Sequence, residues 1–178
     1  MARRYAHLWV SIWDDEDFIS LDPVAQVAYF SLISSRDLSW CGVLPALPKR
    51  IARNSRGVTE RKVVAALSNL VAARLIVVDD DTDEILVRRF VHYDEVMRQP
   101  NVAKAMCRAT NLVRSQRIRA AILTELRREI KDKPDYKGWD AMRAAFPELF
   151  EEVSAKGSSN PSPNPSANPS TIPFRKGA

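Results

Sequence analysis

Long apolar runs are missing from this 178-residue chain, so no membrane-spanning helix is expected. The opening "MARRYAHLWVSIWDDEDF" also lacks a leader: Asp14, Asp15, Glu16 and Asp17 stand where a signal peptide needs apolar residues and a small-residue cleavage site. A cytoplasmic protein is expected. Cysteine is scarce too, with only Cys41 and Cys107, far apart and without a CxxC spacing, which excludes a disulfide framework and a zinc site. Both are read as reduced packing residues. With five glycines in all, there is no phosphate-binding glycine loop and no GxSxG motif, and His7 and His92 lack metal-ligand spacing beside aromatic segments read as strand-like. No catalysis, cofactor or metal is therefore expected. The acids at 14–17 resemble a nuclease cluster only in composition, because consecutive residues cannot all face one metal. They are read as the start of a short helix, whose positive end favours them, with Trp9, Trp13 and Phe18 as core.

What the chain does have is basic charge, +5 overall, and a hydrophobic content of 46%, enough for one modest core. Composition shifts near Lys156 to "KGSSNPSPNPSANPSTIPFRKGA", a Ser, Asn and Pro-rich tail expected to be disordered and extended. Its last residues restore Ile172, Phe174, Arg175 and Lys176, a composition that would suit a short docking peptide but that chance explains more readily.

Before the tail the elements follow from caps and periodicity. "LDPVAQVAYFSLISSRD" starts a helix, with Asp22 as cap and Pro23 at the first helical position, burying Ala25, Ala28, Tyr29, Leu32 and Ile33. "CGVLP" is a short strand, and "LPKRIARNSRG" a short basic helix from about Pro48 to Asn54 ended by a turn. Thr59 caps a further helix in which Val63, Leu67, Leu70 and Val71 share the inner face. Its outer line is Arg61, Ala65, Ser68 and Ala72, flanked by Lys62 and Asn69, small enough for close approach by a partner. "LIVV" and "ILVRRF" then form a hairpin. Helix, strand, helix, helix, strand, strand is the order of a winged helix, so the two middle helices form a helix-turn-helix whose second member suits a major groove. Residues 47–74 carry seven cations against one acid. The expected fold class is mainly α with a small β-hairpin: a winged helix-turn-helix over 1–94, a basic helical extension over 95–155 and a disordered tail over 156–178.

Three runs, "SIWDDEDFISLDPVAQVAYFSLISS", "CGVLPALPKRIAR" and "LIVVDDDTDEILVRRFVHYDEVMRQPNVAKAM", give residues 5–110 a resemblance to the winged-helix DNA-binding proteins of actinobacterial phages and prophages. More distantly the chain is similar to the N-terminal domains of phage replisome-organiser and replication-initiation proteins. The resemblance implies double-stranded DNA binding, in replication or, alternatively, in transcription regulation. It implies Arg61, Lys62, Ser68 and Asn69 as base readers and Lys49, Arg50, Arg53 and Arg56 as phosphate contacts. A winged-helix module that binds protein instead of DNA is the other class of reading.

That reading draws weight from "DDDTDE", which gathers acids at a hairpin tip where a DNA-binding wing normally offers Arg or Lys. Asp chemistry suits a turn, and the tip is expected to point away from a duplex or toward a replication or transcription protein. The run lacks the alternating ligands, glycine and distal glutamate of a calcium loop. Beyond it, "NVAKAMCRATNLVRSQRIRAAILTELRREI" reads as a helical stretch opened by Pro100, capped by Asn101 and bent near Ser115. Val102, Met106, Ala109 and Val113 keep one phase, and Ile118, Ile122, Leu126 and Ile130 another. Its cations, among them Lys104, Arg108, Arg114, Arg117 and Arg119, form a second basic region that could extend a DNA footprint. The apolar stripe over 101–131 could pair two protomers or pack on the chain's own domain. A short amphipathic helix docking by Trp139, Phe146 and Phe150 follows.

Overall fold

The computed structural model describes residues 5–150, so the 156–178 tail and its Ile172–Lys176 segment lie outside the described residues. Asp15 caps α1 (Glu16–Ile19) by accepting from the Phe18 N–H, which explains the acidic run as a helix start. Asp22 caps α2 (Pro23–Ile33) through the N–H groups of Val24 and Ala25 at 2.9 and 3.1 Å. Then come β1 (Val43–Pro45), α3 (Pro48–Ala52), α4 (Glu60–Ala72), β2 (Ile76–Asp79) and β3 (Glu84–Val87). The sheet is antiparallel in the order β1-β3-β2, pairing Leu44 with Ile85 and Val78 with Ile85 across the central strand. The fold is thus mainly helical with a small three-stranded antiparallel sheet, and its element order is the one expected of a winged helix-turn-helix. All four residues of β3 are buried, as a strand covered on both faces requires. Gly42 enters β1 with φ +82°, and a Cβ there would lie 2.8 Å from that of Phe90, so both the backbone and the space demand glycine.

Four helices follow: α5 (Phe90–Tyr93), α6 (Pro100–Leu112), α7 (Gln116–Asp132) and α8 (Trp139–Ala145). His92 thus sits on a helix and not on a strand-like segment. Proline's missing N–H puts Pro100 at the first helical position, so the cap position belongs to Gln99 and not to Asn101. The bend expected near Ser115 is a full break: Val113 and Ser115 are extended, and the Ser115 hydroxyl caps α7 by accepting from Ile118 N–H at 3.0 Å. Ile118, Ile122, Leu126 and Ile130 are all buried in one hydrophobic cluster with the β3 side chains and Leu70. The stripe is therefore filled within the chain. Trp139 and Phe146 are buried as expected, while Phe150 packs partly buried against them. Trp9 and Trp13, expected in the core, are 40% and 54% exposed; Phe18 alone of the three is fully buried, edge-on to Tyr29 and Phe30.

Carboxylates dock α7. Glu84, buried at the base of the acidic hairpin, accepts the N–H groups of Arg114 and Ser115 at 3.1 and 2.8 Å, and Asp79 accepts the Ser115 hydroxyl. Ser115 holds Asp79 below the usual carboxylate range. Further along, Glu125 accepts Arg89 N–H at 2.7 Å and Arg88 Nε at 3.2 Å, and Glu129 lies 2.7 Å from His92 Nδ1. Burial pushes the Glu125 carboxyl up, against the pull of those bonds. Arg89 adopts φ 57°, a left-handed conformation that turns its N–H toward Glu125.

Replacing Glu84 by Ala would strip the acceptor from the buried Ser115 N–H and the half-buried Arg114 N–H, and a loss of about 2–3 kcal/mol is expected in urea unfolding. Asp80→Ala at the exposed tip should stay within about 0.5 kcal/mol. Asp22→Ala removes the α2 cap and should cost about 1 kcal/mol at neutral pH. Burial raises the Asp22 pKa, but bonds from Ala25, Asn69 and Val24 outweigh it and leave the net value below 3.8. A depressed folded pKa makes this stabilisation present above pH 3.8 and lost as pH falls through the folded value. The gap between wild type and Asp22→Ala should therefore close in acid.

Candidate nucleic-acid interface

α3 and α4 meet through a turn that ends in Gly57, at φ +81° in open space, where the left-handed backbone alone calls for glycine. Thr59 caps α4 by accepting from Lys62 N–H at 3.4 Å. Val63, Ala66, Leu67 and Leu70 face inward against α2 and α3. Val71, expected inside, is 37% exposed, and Ala66 takes the inner place. At the far end Arg74 is left-handed, φ 57°, and the Leu75 and Arg74 N–H groups return to Leu70 O and Val71 O, both at 3.0 Å. These two bonds form a Schellman stop with arginine where glycine is usual.

The outer face of α4 therefore presents Arg61, Lys62, Ala65, Ser68 and Ala72, with Val64 and Val71 also exposed beside them. The Ser68 hydroxyl donates to Val64 O at 3.2 Å. Asn69 Nδ2 donates to Asp22 Oδ2 at 3.0 Å, tying α4 to the start of α2. So one expected reader, Asn69, already has a partner within the chain. Lys49, Arg50, Arg53 and Arg56 are all exposed on α3 and the turn. Arg50 pairs with Asp37, 13 residues earlier. Among the described residues the side chains of Lys49, Arg53, Arg56, Arg61 and Lys62 form no hydrogen bond or ion pair, which leaves five cations on α3, its turn and the first turn of α4.

The second basic region divides. Lys104 and Arg108 are exposed one turn apart on α6. Arg117 is exposed, and its charge helps hold Asp79 ionised. Arg114 reaches Thr82 O in the hairpin, with Nε 3.9 Å from Glu84. Arg119 donates to Val113 O at 2.9 Å and Asn111 O at 3.3 Å, satisfying carbonyls where α6 ends. These last two cations serve the fold. The acidic hairpin divides in the same way: Asp79 and Glu84 are used by α7, whereas Asp80, Asp81 and Asp83 are exposed. Sequence reasoning missed this because Glu84 and Ser115 are 31 residues apart, and nothing local signals the pairing.

No group of His, Cys, Asp and Glu suited to a metal occurs among the described residues, and none of their helices is long and apolar enough to cross a membrane. Both cysteines are buried and free. No family model, curated protein or solved structure matches this chain.

Proposed function

We propose that this chain binds double-stranded DNA, with α4 entering the major groove and α3 with its turn lying along the phosphates, and that it acts without catalysis. The observation that carries the reading is the set of five exposed cations without partners on α3, its turn and the first turn of α4, in a fold with the element order of a winged helix-turn-helix. Cations left unspent by the fold can release counterions from a duplex. The small outer residues of α4 let its backbone approach base edges, and Val64 and Val71 suit thymine methyl groups. Lys104 and Arg108 offer additional phosphate contacts. The resemblance to phage winged-helix proteins makes replication initiation or replisome organisation the role we favour, with transcription regulation as the other.

A second reading, a protein-binding module, is favoured by one feature: beyond Lys62 the exposed face of α4 carries no charge until Arg74. An apolar partner would suit that half of the helix better than a phosphate backbone would.

Arg61→Ala with Lys62→Ala should weaken duplex binding by about 1–3 kcal/mol if either residue reads a base, and lower the salt slope by about 1 for each phosphate contact removed. Gel-shift titrations at two salt concentrations measure both, and unchanged binding by a folded double variant would remove these residues from the interface. Replacing Asp80, Asp81 and Asp83 by Asn should tighten binding modestly at low salt, where the Debye length approaches roughly 30 Å, and hardly at all near physiological salt. Weaker binding by the folded triple variant would give those carboxylates a role of the opposite sign.

A further inference from the structure

Tyr29 lines a cleft that includes none of the exposed cations of α3 and the first turn of α4 and none of the hairpin-tip acids. The cleft, with a cavity volume of about 70 Å³, lies between the segment at residues 7–15, α2, and the ends of β2 and β3. Its walls are mainly aliphatic and aromatic, including Ile12, Ile33, Leu75 and Phe90. Tyr29 is 94% buried, at 6% exposure, and its ring packs against Phe18 and Phe30. Yet its hydroxyl makes no hydrogen bond among the described residues, although it feels the charges of Asp15 and Arg89, which line the same cleft. The hydroxyl is not among the fully buried unpaired atoms, so it faces the solvent of the cleft, a place where a ligand's polar atom can sit.

The spare capacity around it has one sign. Arg74 and Arg89 line the cleft, and among the described residues neither guanidinium donates a hydrogen bond; Arg89 lies over the Tyr93 ring at 5.2 Å. Of the carboxylates, Asp15 accepts one bond as the α1 cap, and Asp94 lies 3.2 Å from His7. Arg88 is held by Glu125 and Arg74 O. The three arginines of the lining against Asp15 and Asp94 leave a net positive charge, so an anionic acceptor suits the cleft.

We propose that this cleft binds a small carboxylate with an apolar body of ring size, its oxygens taken by the Tyr29 hydroxyl and the Arg74 and Arg89 guanidiniums and its body by the aliphatic walls. Burial pushes the Tyr29 hydroxyl up to about 12, so it stays a neutral donor at pH 7. Trp9 also lines the cleft, its indole N–H donating to Tyr93 O at 2.8 Å and tying the 7–15 segment to α5. The site stands independently of duplex binding.

Isothermal titration of the full chain with benzoate, phenylacetate and hexanoate, against benzyl alcohol and benzylamine, tests this directly. At least one of the acids should saturate at one site per chain, and the neutral and cationic analogues should not. Tyr29→Phe, which keeps the ring, should weaken that binding about tenfold, and so should Arg74→Gln at its exposed position. Circular dichroism checks that both variants are folded, and if one of them is not, the other decides. Absence of saturation by all three acids up to about 10 mM, equal binding of benzylamine, or full affinity in a folded variant would overturn the proposal.

Discussion

A carboxylate cannot be buried in a small protein unless its charge is met, and this fold turns that constraint into a joint. Glu84, at 9% exposure, takes the two backbone N–H groups of Arg114 and Ser115 that lead into α7, while α7 returns the arrangement by sending Glu125 to the backbone of Arg89. The hairpin and the long helix are thereby fixed to each other at both ends of their contact. Between those ends Ile118, Ile122 and Leu126 fill the same core as Ile85 and Leu86. The helical extension is thus a structural part of the same fold, and its apolar stripe is consumed where it lies.

The same joint sorts the charges. An acidic hairpin on a basic chain looks contradictory until Asp79 and Glu84 are seen to hold a helix start, where the aligned N–H groups favour negative charge. Arg114 and Arg119 go to the hairpin and to the end of α6, so they cannot be counted as spare cations. The cations of α3, its turn and the first turn of α4 have no comparable employment, apart from Arg50. The proposed division follows: carboxylates and their arginines hold the molecule together, and the remaining positive charge faces outward.

Local signals were legible in the sequence. Asp22-Pro23 and Thr59 cap the helices they were expected to cap, and the apolar runs on either side of "DDDTDE" pair as a hairpin. On α4 the spacing identified Val63, Leu67 and Leu70; it erred at Val71, because at 3.6 residues per turn a narrow contact with α2 selects Ala66 over the edge of the stripe. What could not be read was long-range. The tie from Asn69 to Asp22 spans 47 residues and that from Arg89 to Glu125 spans 36, and no periodicity encodes either. Trp9 and Trp13 were misplaced because aromatic residues suggest core by type, but Trp13 lies over Phe18 and Phe30 and Trp9 over His92 and Tyr93, each on the outer side.

The most direct test of the outward-facing charge is residue-resolved amide NMR of the chain titrated with a short random duplex. The account predicts that shift changes concentrate over residues 48–62 and the outer line of α4 at Ala65, Ser68 and Ala72, with the Glu84–Ser115 joint unchanged. Changes confined to the segment at 7–15 or to α7, with α3 and α4 silent, would contradict it.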